Sequence, residues 1–172
     1  MTTTGTIPGF RLPFFRKAVV ALVLALGLSV TALPAQSASA ASLSYTIAGH
    51  TVTAPTYAAK VAVWTALAQR GDRYVWGGAG PSTFDCSGLT QYSWRKAGVS
   101  LPHSSRLQST TGDWVSKSSL RAGDLVFFYS PVSHVAIYVG AGYIVHAPGS
   151  GDVVRMAKLA YMPSYAGARR VW

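Results

Sequence analysis

The sequence predicts an α+β fold in which helices come first and an antiparallel sheet follows. Two segments of good helix formers, with apolar residues at helical spacing, lie between residues 57 and 97. From residue 124 onward the chain instead has short apolar runs separated by glycine and proline, which is typical of strands. This separation of the two element types favours α+β over an alternating α/β fold. A chain of 172 residues can bury one sizeable core.

The individual elements have recognisable boundaries. Helices are predicted over 57–69 and 86–97, with a short helical turn over 105–109, and strands over 124–129, 134–139, 143–146, 153–156 and 168–171. Residues 71–85 contain five glycines or prolines and are predicted to form a loop. The Gly140-Ala141-Gly142 segment predicts a tight hairpin between two of the strands.

The first forty residues differ from the rest. Three basic residues precede an uncharged apolar run over residues 18–33, and small residues including Ala38 and Ala40 follow. This order is typical of a secretory signal peptide cleaved after Ala40, so we expect a secreted protein, extracellular or associated with the cell wall. The alternative is an uncleaved membrane anchor, for which the apolar run is short.

We therefore divide the chain into three parts: a signal peptide over 1–40, a linker or edge segment over 41–57, and a folded domain over 58–172.

Loss of the signal peptide would remove three of the 15 basic residues and reduce the net charge from +10 to +7. A basic exported protein is expected to meet an anionic partner such as the cell wall, although the charge could serve only for solubility. We expect a monomer with no nucleic-acid partner, since no basic run is interleaved with aromatics, and no stable membrane association after signal cleavage.

The chain contains one cysteine, Cys86. Exported proteins usually have paired cysteines or none, so this residue is a candidate reactive thiol, the alternative being an inert buried side chain. Its predicted place at a helix N-terminus favours negative charge, because free backbone N–H groups point there. We therefore expect a lowered thiol pKa, with the Cys86 N–H available to an oxyanion.

The histidines His50, His103, His134 and His146 are candidate bases. His134 begins one predicted strand and His146 ends the next, so a hairpin can bring the two rings side by side. This arrangement would let His134 take the thiol proton while His146 orients the other ring nitrogen. A structural role remains the alternative for each of them.

Five sequence blocks occur in order along the chain. They are YVWGG at 74–78, FDCSGL at 84–89, LRAGDLVFF at 120–128, SHVAIYVG at 133–140 and VHA at 145–147. This ordered set, with the only cysteine inside one block, resembles the NlpC-type cell-wall peptidase family over residues 58–172. The resemblance implies a papain-like fold with the nucleophile at a helix N-terminus. It also implies hydrolysis of peptide bonds in peptidoglycan stem peptides, commonly between D-glutamate and a diamino acid. We expect no metal or other cofactor, since the sequence has no H-E-x-x-H motif and no paired-cysteine ligand set.

By motif position, the resemblance implies Cys86 as nucleophile, His134 as general base and His146 as the polar third member. Tyr74 matches a tyrosine that faces the site and assists the oxyanion. Positions that line the substrate groove in similar enzymes are matched by Asp85, Ser87 and Ser133.

Other interpretations of these residues stay open. Tyr74 and Trp76 could be core aromatics, and Asp85 could act as a helix cap. His103 follows Leu101-Pro102, where relatives often have arginine, so a groove contact there is in doubt. At the level of function, the alternatives are an amidase or cross-link peptidase of the same fold, or a non-catalytic wall-binding protein.

Overall fold

The computed structural model describes residues 43–172, so the predicted signal peptide, its cleavage site and the first two residues of the predicted linker lie outside the described range. Within this range, no helix has both the length and the apolar character that a bilayer crossing requires. The element order confirms the predicted α+β class, with helices preceding a mainly antiparallel sheet.

Three helices occupy the first half of the described chain. Helix α1 spans Tyr57–Ala68, and its N-terminus is capped by the Thr56 hydroxyl, which accepts a hydrogen bond from the Ala59 N–H at 3.0 Å. Helix α2 spans Cys86–Lys96, and α3 is a single turn, Ser105–Gln108. All three begin at the predicted residue and end within one residue of the predicted position. Helices α1 and α2 pack directly against each other.

Ten short strands complete the domain. They are β1 Ser44–Ile47, β2 His50–Thr53, β3 Arg73–Tyr74, β4 Thr83–Phe84, β5 Asp113–Trp114, β6 Leu125–Phe128, β7 His134–Gly140, β8 Tyr143–His146, β9 Arg155–Lys158 and β10 Tyr165–Arg170. The main sheet has the order β5-β10-β6-β7-β8-β9, and every neighbouring pair in it is antiparallel. Strands β1 and β2 form a separate hairpin, and β3 and β4 form a short parallel pair.

The central strands are apolar on both faces, because each face covers a different part of the core. Leu125 and Phe127 of β6 pack in the cluster that contains α1 and α2. Val126 and Phe128 pack in a second cluster on the opposite face. Strand β6 therefore appears in the sequence as one continuous apolar run rather than as an alternating pattern.

The segment predicted to be a linker or edge piece has more order than a linker. Tyr45 and Ile47 of β1 are both buried and join the main core cluster. The Tyr45 hydroxyl also donates a hydrogen bond to the Val139 carbonyl oxygen at 3.0 Å. The alternating apolar residues of this segment thus attach the β1–β2 hairpin to the domain.

The boundaries in the last third differ from the predictions. The strand predicted over 153–156 begins two residues later, at Arg155, and the strand predicted from Ala168 begins earlier, at Tyr165.

Strand β5 and the β3–β4 pair were not predicted at all. Each of these three elements is two residues long, too short for a periodic pattern, and β3 and β4 lie within the glycine-rich segment.

Helix α2 approaches the loop before it very closely. A methyl group on Gly88 would overlap the carbonyl oxygen of Gly78, and this same oxygen accepts a hydrogen bond from the Asp85 N–H at 2.8 Å. Glycine at position 88 therefore sets the distance between α2 and the loop over residues 77–79.

We predict that Gly88→Ala lowers the free energy of unfolding by roughly 2 to 3 kcal/mol, because the added methyl group forces α2 away from Gly78. Gly149→Ala is the matched control, since no atom lies within 4 Å of the added carbon and the expected change is small. Urea unfolding of both variants measures the difference. Equal stability of the two variants would contradict the close-contact explanation.

Candidate active site

Asp85 organises the N-terminus of α2 around the cysteine. Its buried carboxylate caps the helix by accepting a hydrogen bond from the Gly88 N–H at 2.7 Å. It also accepts hydrogen bonds from the Gly77 N–H and the Ser87 hydroxyl, both at 3.0 Å. The capping interpretation of Asp85 is therefore confirmed, and the cap makes Cys86 the first residue of the helix.

The two histidines of the β7–β8 hairpin contact each other. Nε2 of His134 lies 2.9 Å from Nδ1 of His146, and both side chains are buried. Val145 pairs with Ile137 in the ladder, so the two rings meet diagonally across the strands rather than directly opposite each other. The predicted side-by-side arrangement of the rings is confirmed.

One cavity of about 330 Å³ brings most of the predicted site residues together. Helix α2 packs on β7, and Cys86 and His134 both line this cavity. Six of the seven predicted residues line this cavity: Tyr74, Asp85, Cys86, Ser87, Ser133 and His134. The seventh, His146, lies behind His134 and lines an adjoining cavity instead.

The thiol of Cys86 has a raised pKa, opposite in direction to the sequence-based expectation. Burial is the largest cause, and the nearby Asp85 carboxylate adds to it. Hydrogen bonds from the backbone N–H groups of Val135, Ser87 and Cys86 itself lower the pKa but do not offset the burial. The expectation took account of the helix terminus alone and left out desolvation, which dominates in the folded chain.

Burial also favours the neutral form of the two imidazoles. It lowers the pKa of His134 to about 4 and that of His146 to about 3, with the nearby His134 and Arg155 adding to the effect at His146. Both rings are therefore neutral at neutral pH. If Nε2 of His134 donates to Nδ1 of His146, then Nδ1 of His134 is left as an acceptor for the thiol proton. The resting site thus has a neutral thiol and a neutral base in the lining of one cavity.

The two aromatic residues of the first block differ in environment. Trp76 is 86% exposed at the cavity rim, so its interpretation as a core aromatic is wrong. Tyr74 is partly buried and packs against the main core cluster while also lining the cavity. Burial, with Cys86 and Asp85 nearby, raises the pKa of Tyr74, so its hydroxyl remains a hydrogen-bond donor.

Two further residues support the site: Gln108, which was assigned no role from the sequence, and His103, whose contact with the groove was in doubt. Gln108 is fully buried, and its amide nitrogen donates to the carbonyl oxygens of Ser87 at 3.0 Å and Pro102 at 2.7 Å. Nε2 of His103 lies 2.9 Å from the Asp85 carboxylate, at the edge of the cavity. A buried glutamine in one helical turn has no periodic signal, so sequence alone could not have revealed its role.

His50, the fourth histidine, lies in the β1–β2 hairpin and is exposed, away from this cavity. It lines a separate surface depression together with residues of the β7–β8 turn. Of the four histidines, His103 and His134 therefore line the cavity that contains Cys86, and His146 contacts His134 from the adjoining cavity.

The profile of the NlpC/P60 family matches residues 71–170, which contain the whole site. The chain belongs to the NlpC/P60 family. This membership agrees with the resemblance that the five sequence blocks indicate, and it assigns the α+β fold to the papain-like class of that family.

Individual relatives support the same family. The chain is 43% identical over 99 residues to a probable endopeptidase of Corynebacterium glutamicum, which covers 58% of this chain and 47% of that protein. It is similar to the structure of an NlpC/P60 family protein from Bacillus cereus, with a TM-score of 0.63, 37% identity, and coverage of 69% of this chain and 41% of that one. It also resembles the NlpC/P60 domain of the peptidoglycan hydrolase SagA, with a TM-score of 0.61, 35% identity, and coverage of 66% and 98%.

The chain thus spans less than half the length of the Corynebacterium relative, whereas the isolated SagA domain is matched almost completely. The shared part is the NlpC/P60 domain. Its sequence match contains Cys86, His134 and His146.

We predict that the NlpC/P60 domain loses stability as the pH falls from 7 to 5, because the unfolded chain binds protons at its histidines while the buried His134 and His146 stay neutral. The pKa values of these two are lowered, so the stability is present above the ordinary histidine pKa and is lost on acidification. Each contributes roughly 1.5 kcal/mol over this interval. Urea unfolding of His146→Asn should therefore show a pH-dependent loss smaller by about that amount. An unchanged loss would contradict the buried neutral state of His146.

Proposed function

We propose that the protein is a secreted cysteine endopeptidase that cleaves peptidoglycan stem peptides through a thioester on Cys86. The observation that carries the proposal is the cavity shared by Cys86 and His134, with the His134 ring hydrogen-bonded to His146. A nucleophile, a base and a group that orients the base are the parts an acyl-transfer site requires. The probable endopeptidase and the SagA peptidoglycan hydrolase among the similar proteins support the same reaction class.

The first half-reaction uses the neutral pair. As the Cys86 sulfur attacks the scissile carbonyl carbon, Nδ1 of His134 takes the thiol proton. The imidazolium that forms is stabilised by its Nε2 hydrogen bond to His146. The resulting oxyanion is stabilised by the Cys86 backbone N–H and the Tyr74 hydroxyl, both at the cavity that Cys86 lines.

The two products leave in turn, the amine at the end of acylation and the acid after hydrolysis of the thioester. Protonated His134 gives its proton to the leaving amine, the carbon–nitrogen bond breaks, and the acyl group stays on sulfur as a thioester. His134, again neutral, then takes a proton from a water molecule that attacks the thioester carbonyl. The acid product leaves, and the thiol is restored by the proton on His134.

The substrate assignment rests on the family and on the charge of the chain. We infer that the scissile bond joins D-glutamate to the following diamino acid, as the resemblance implies. The polar residues Asp85, Ser87 and Ser133 at the cavity suit a substrate with several polar groups. The positive charge of the chain favours retention at an anionic cell wall after export.

Purified peptidoglycan digested with the wild-type protein should release fragments cut within the stem peptide, as identified by mass spectrometry. We predict that Cys86→Ala folds normally and releases none, and that His134→Ala lowers the rate by at least about 10³-fold. His146→Ala, which removes only the orienting group, should lower it by a smaller factor, about 10- to 100-fold.

Lys158→Gln is a suitable control, because this exposed residue of β9 does not line the cavity. Full activity in Cys86→Ala would exclude the thiol mechanism. Fragments cut between sugar and peptide, or only at cross-links, would replace the endopeptidase assignment by one of the alternative bonds. Peptidoglycan that is left intact by the wild type as well as by every variant would favour a binding protein.

A further inference from the structure

Helix α1 is apolar on two faces, and only one of them is covered. The covered face consists of small residues that pack in the main core: Ala59, Ala62, Val63 and Ala66. Tyr57 and Trp64 lie on the other face, where they are 74% and 55% exposed. A helix that is apolar all round is ordinarily buried all round, so this second face is a surface that residues 43–172 leave uncovered.

The two exposed rings lie on one side of the helix. Tyr57 and Trp64 are seven positions apart, so two helical turns separate their Cα atoms by about 10.5 Å along the axis. Nζ of Lys60 lies 5.9 Å from the centre of the Trp64 ring, and this cation–π contact restricts the ring. The face therefore presents two flat rings at a separation that the helix fixes.

A groove of about 570 Å³ continues from Trp64 towards the end of the helix. Trp64, Leu67 and Ala68 line it from α1, and residues 45–48 line it from the end of β1. Arg70 and Met156 complete the lining, with Nη1 of Arg70 donating to the Met156 sulfur at 3.7 Å. We call Tyr57, Trp64 and this groove together the α1 strip.

The charge of the α1 strip restricts the partner that it suits. Among the described residues that line the groove, Arg70 is charged and no carboxylate is present. A cationic partner would find no counter-charge there, whereas a neutral or anionic chain with many hydrogen-bond acceptors would find a donor. Lys60 is the only basic residue of α1, whereas helices that bind bilayers usually have several. A polar chain is therefore favoured over a lipid surface.

Sugar rings have the surface that the α1 strip matches. A pyranose ring has C–H groups on its faces and hydroxyl or amide groups around its edge, so it can stack on an aromatic ring while its edge makes hydrogen bonds. Tryptophan and tyrosine supply such rigid, flat surfaces at a low entropic cost. Two linked sugars extend over about the length of two helical turns, about 10 Å. Both rings of the strip can therefore contact one strand.

The α1 strip leads towards the active site. Arg70 at its end and Tyr74 in the catalytic cavity are four residues apart, so their Cα atoms lie at most about 14 Å apart. A glycan strand carries stem peptides along its length. A strand on the strip would therefore hold further stem peptides near the Cys86 cavity.

We propose that the α1 strip binds the glycan strand of peptidoglycan, with its amino sugars stacked on Trp64 and Tyr57. The inference rests on the proposed peptidoglycan substrate, but no residue of the strip takes part in the cleavage step. Helix α1 precedes residues 71–170, which the family profile matches. The strip thus gives the catalytic domain a wall-binding surface separate from its active site.

The first test is the binding of a hexasaccharide of β-1,4-linked N-acetylglucosamine, which has the sugar backbone but no peptide, measured by isothermal titration calorimetry. We expect Trp64→Ala to raise the Kd by about tenfold and Tyr57→Ala by a smaller factor, since each removes one stacked ring. Trp64→Phe should restore part of the affinity. Trp114→Ala is the matched control, because this tryptophan is 68% exposed on β5 and does not line the groove.

The second test compares the rates of cleavage of intact peptidoglycan and of a synthetic stem peptide without sugar. Trp64→Ala should lower kcat/KM on peptidoglycan by about tenfold, in line with the loss of strand binding. It should leave kcat/KM on the synthetic peptide unchanged. Circular dichroism of each variant checks that these exposed substitutions leave the fold intact.

No binding of the hexasaccharide by the wild type, or the same Kd for Trp64→Ala and Trp114→Ala, would overturn the glycan site. A Trp64-dependent association with phosphatidylglycerol vesicles, or a Trp64-dependent dimer, in place of sugar binding would also overturn it and assign the strip to a membrane or to a second copy. A wild type that binds the hexasaccharide but does not cleave the synthetic peptide would overturn the endopeptidase function and leave the glycan site standing.

Discussion

The site depends on the burial of one thiol and two imidazoles in the seam between the first turn of α2 and the β7–β8 hairpin. Gly88 allows α2 to lie against Gly78, and the Asp85 carboxylate fixes the loop and the helix terminus to each other. The same packing places the Val135 N–H at the Cys86 sulfur. Removal of water from this seam keeps the Cys86 thiol and the two imidazoles neutral.

The loss of solvation in this seam favours the neutral forms of the thiol and the imidazoles. This determines how a proton can move between them. The helix terminus and three backbone N–H groups stabilise a thiolate, but the loss of solvation outweighs them. In the proposed mechanism, the proton therefore stays on sulfur until a substrate carbonyl is in reach, and it moves to His134 as the carbon–sulfur bond forms. The donors around the sulfur then serve the transition state, where negative charge develops, more than the resting state.

The sequence predicted those features that repeat over many residues or that resemble a known pattern. Helix α2 with Cys86 at its start, strands β7 and β8, and the contact between His134 and His146 all followed from periodicity, the hairpin signal and the sequence blocks. Features that depend on three-dimensional contact could not be predicted in this way. Gln108 joins segments distant in sequence, Arg155 reaches the histidines only through the β8–β9 register, and the sign of the Cys86 pKa shift depends on burial.

The most direct test of this account is the ionisation of the Cys86 thiol, followed by thiolate absorbance or by the rate of alkylation as a function of pH. Because the chain has only this cysteine, the signal needs no correction for other thiols. A neutral resting pair predicts a single transition whose midpoint lies above that of a free cysteine. At low pH it predicts no thiolate signal, either in the wild type or in His134→Ala. A midpoint several units lower, which disappears in His134→Ala, would show a thiolate–imidazolium pair and contradict the account.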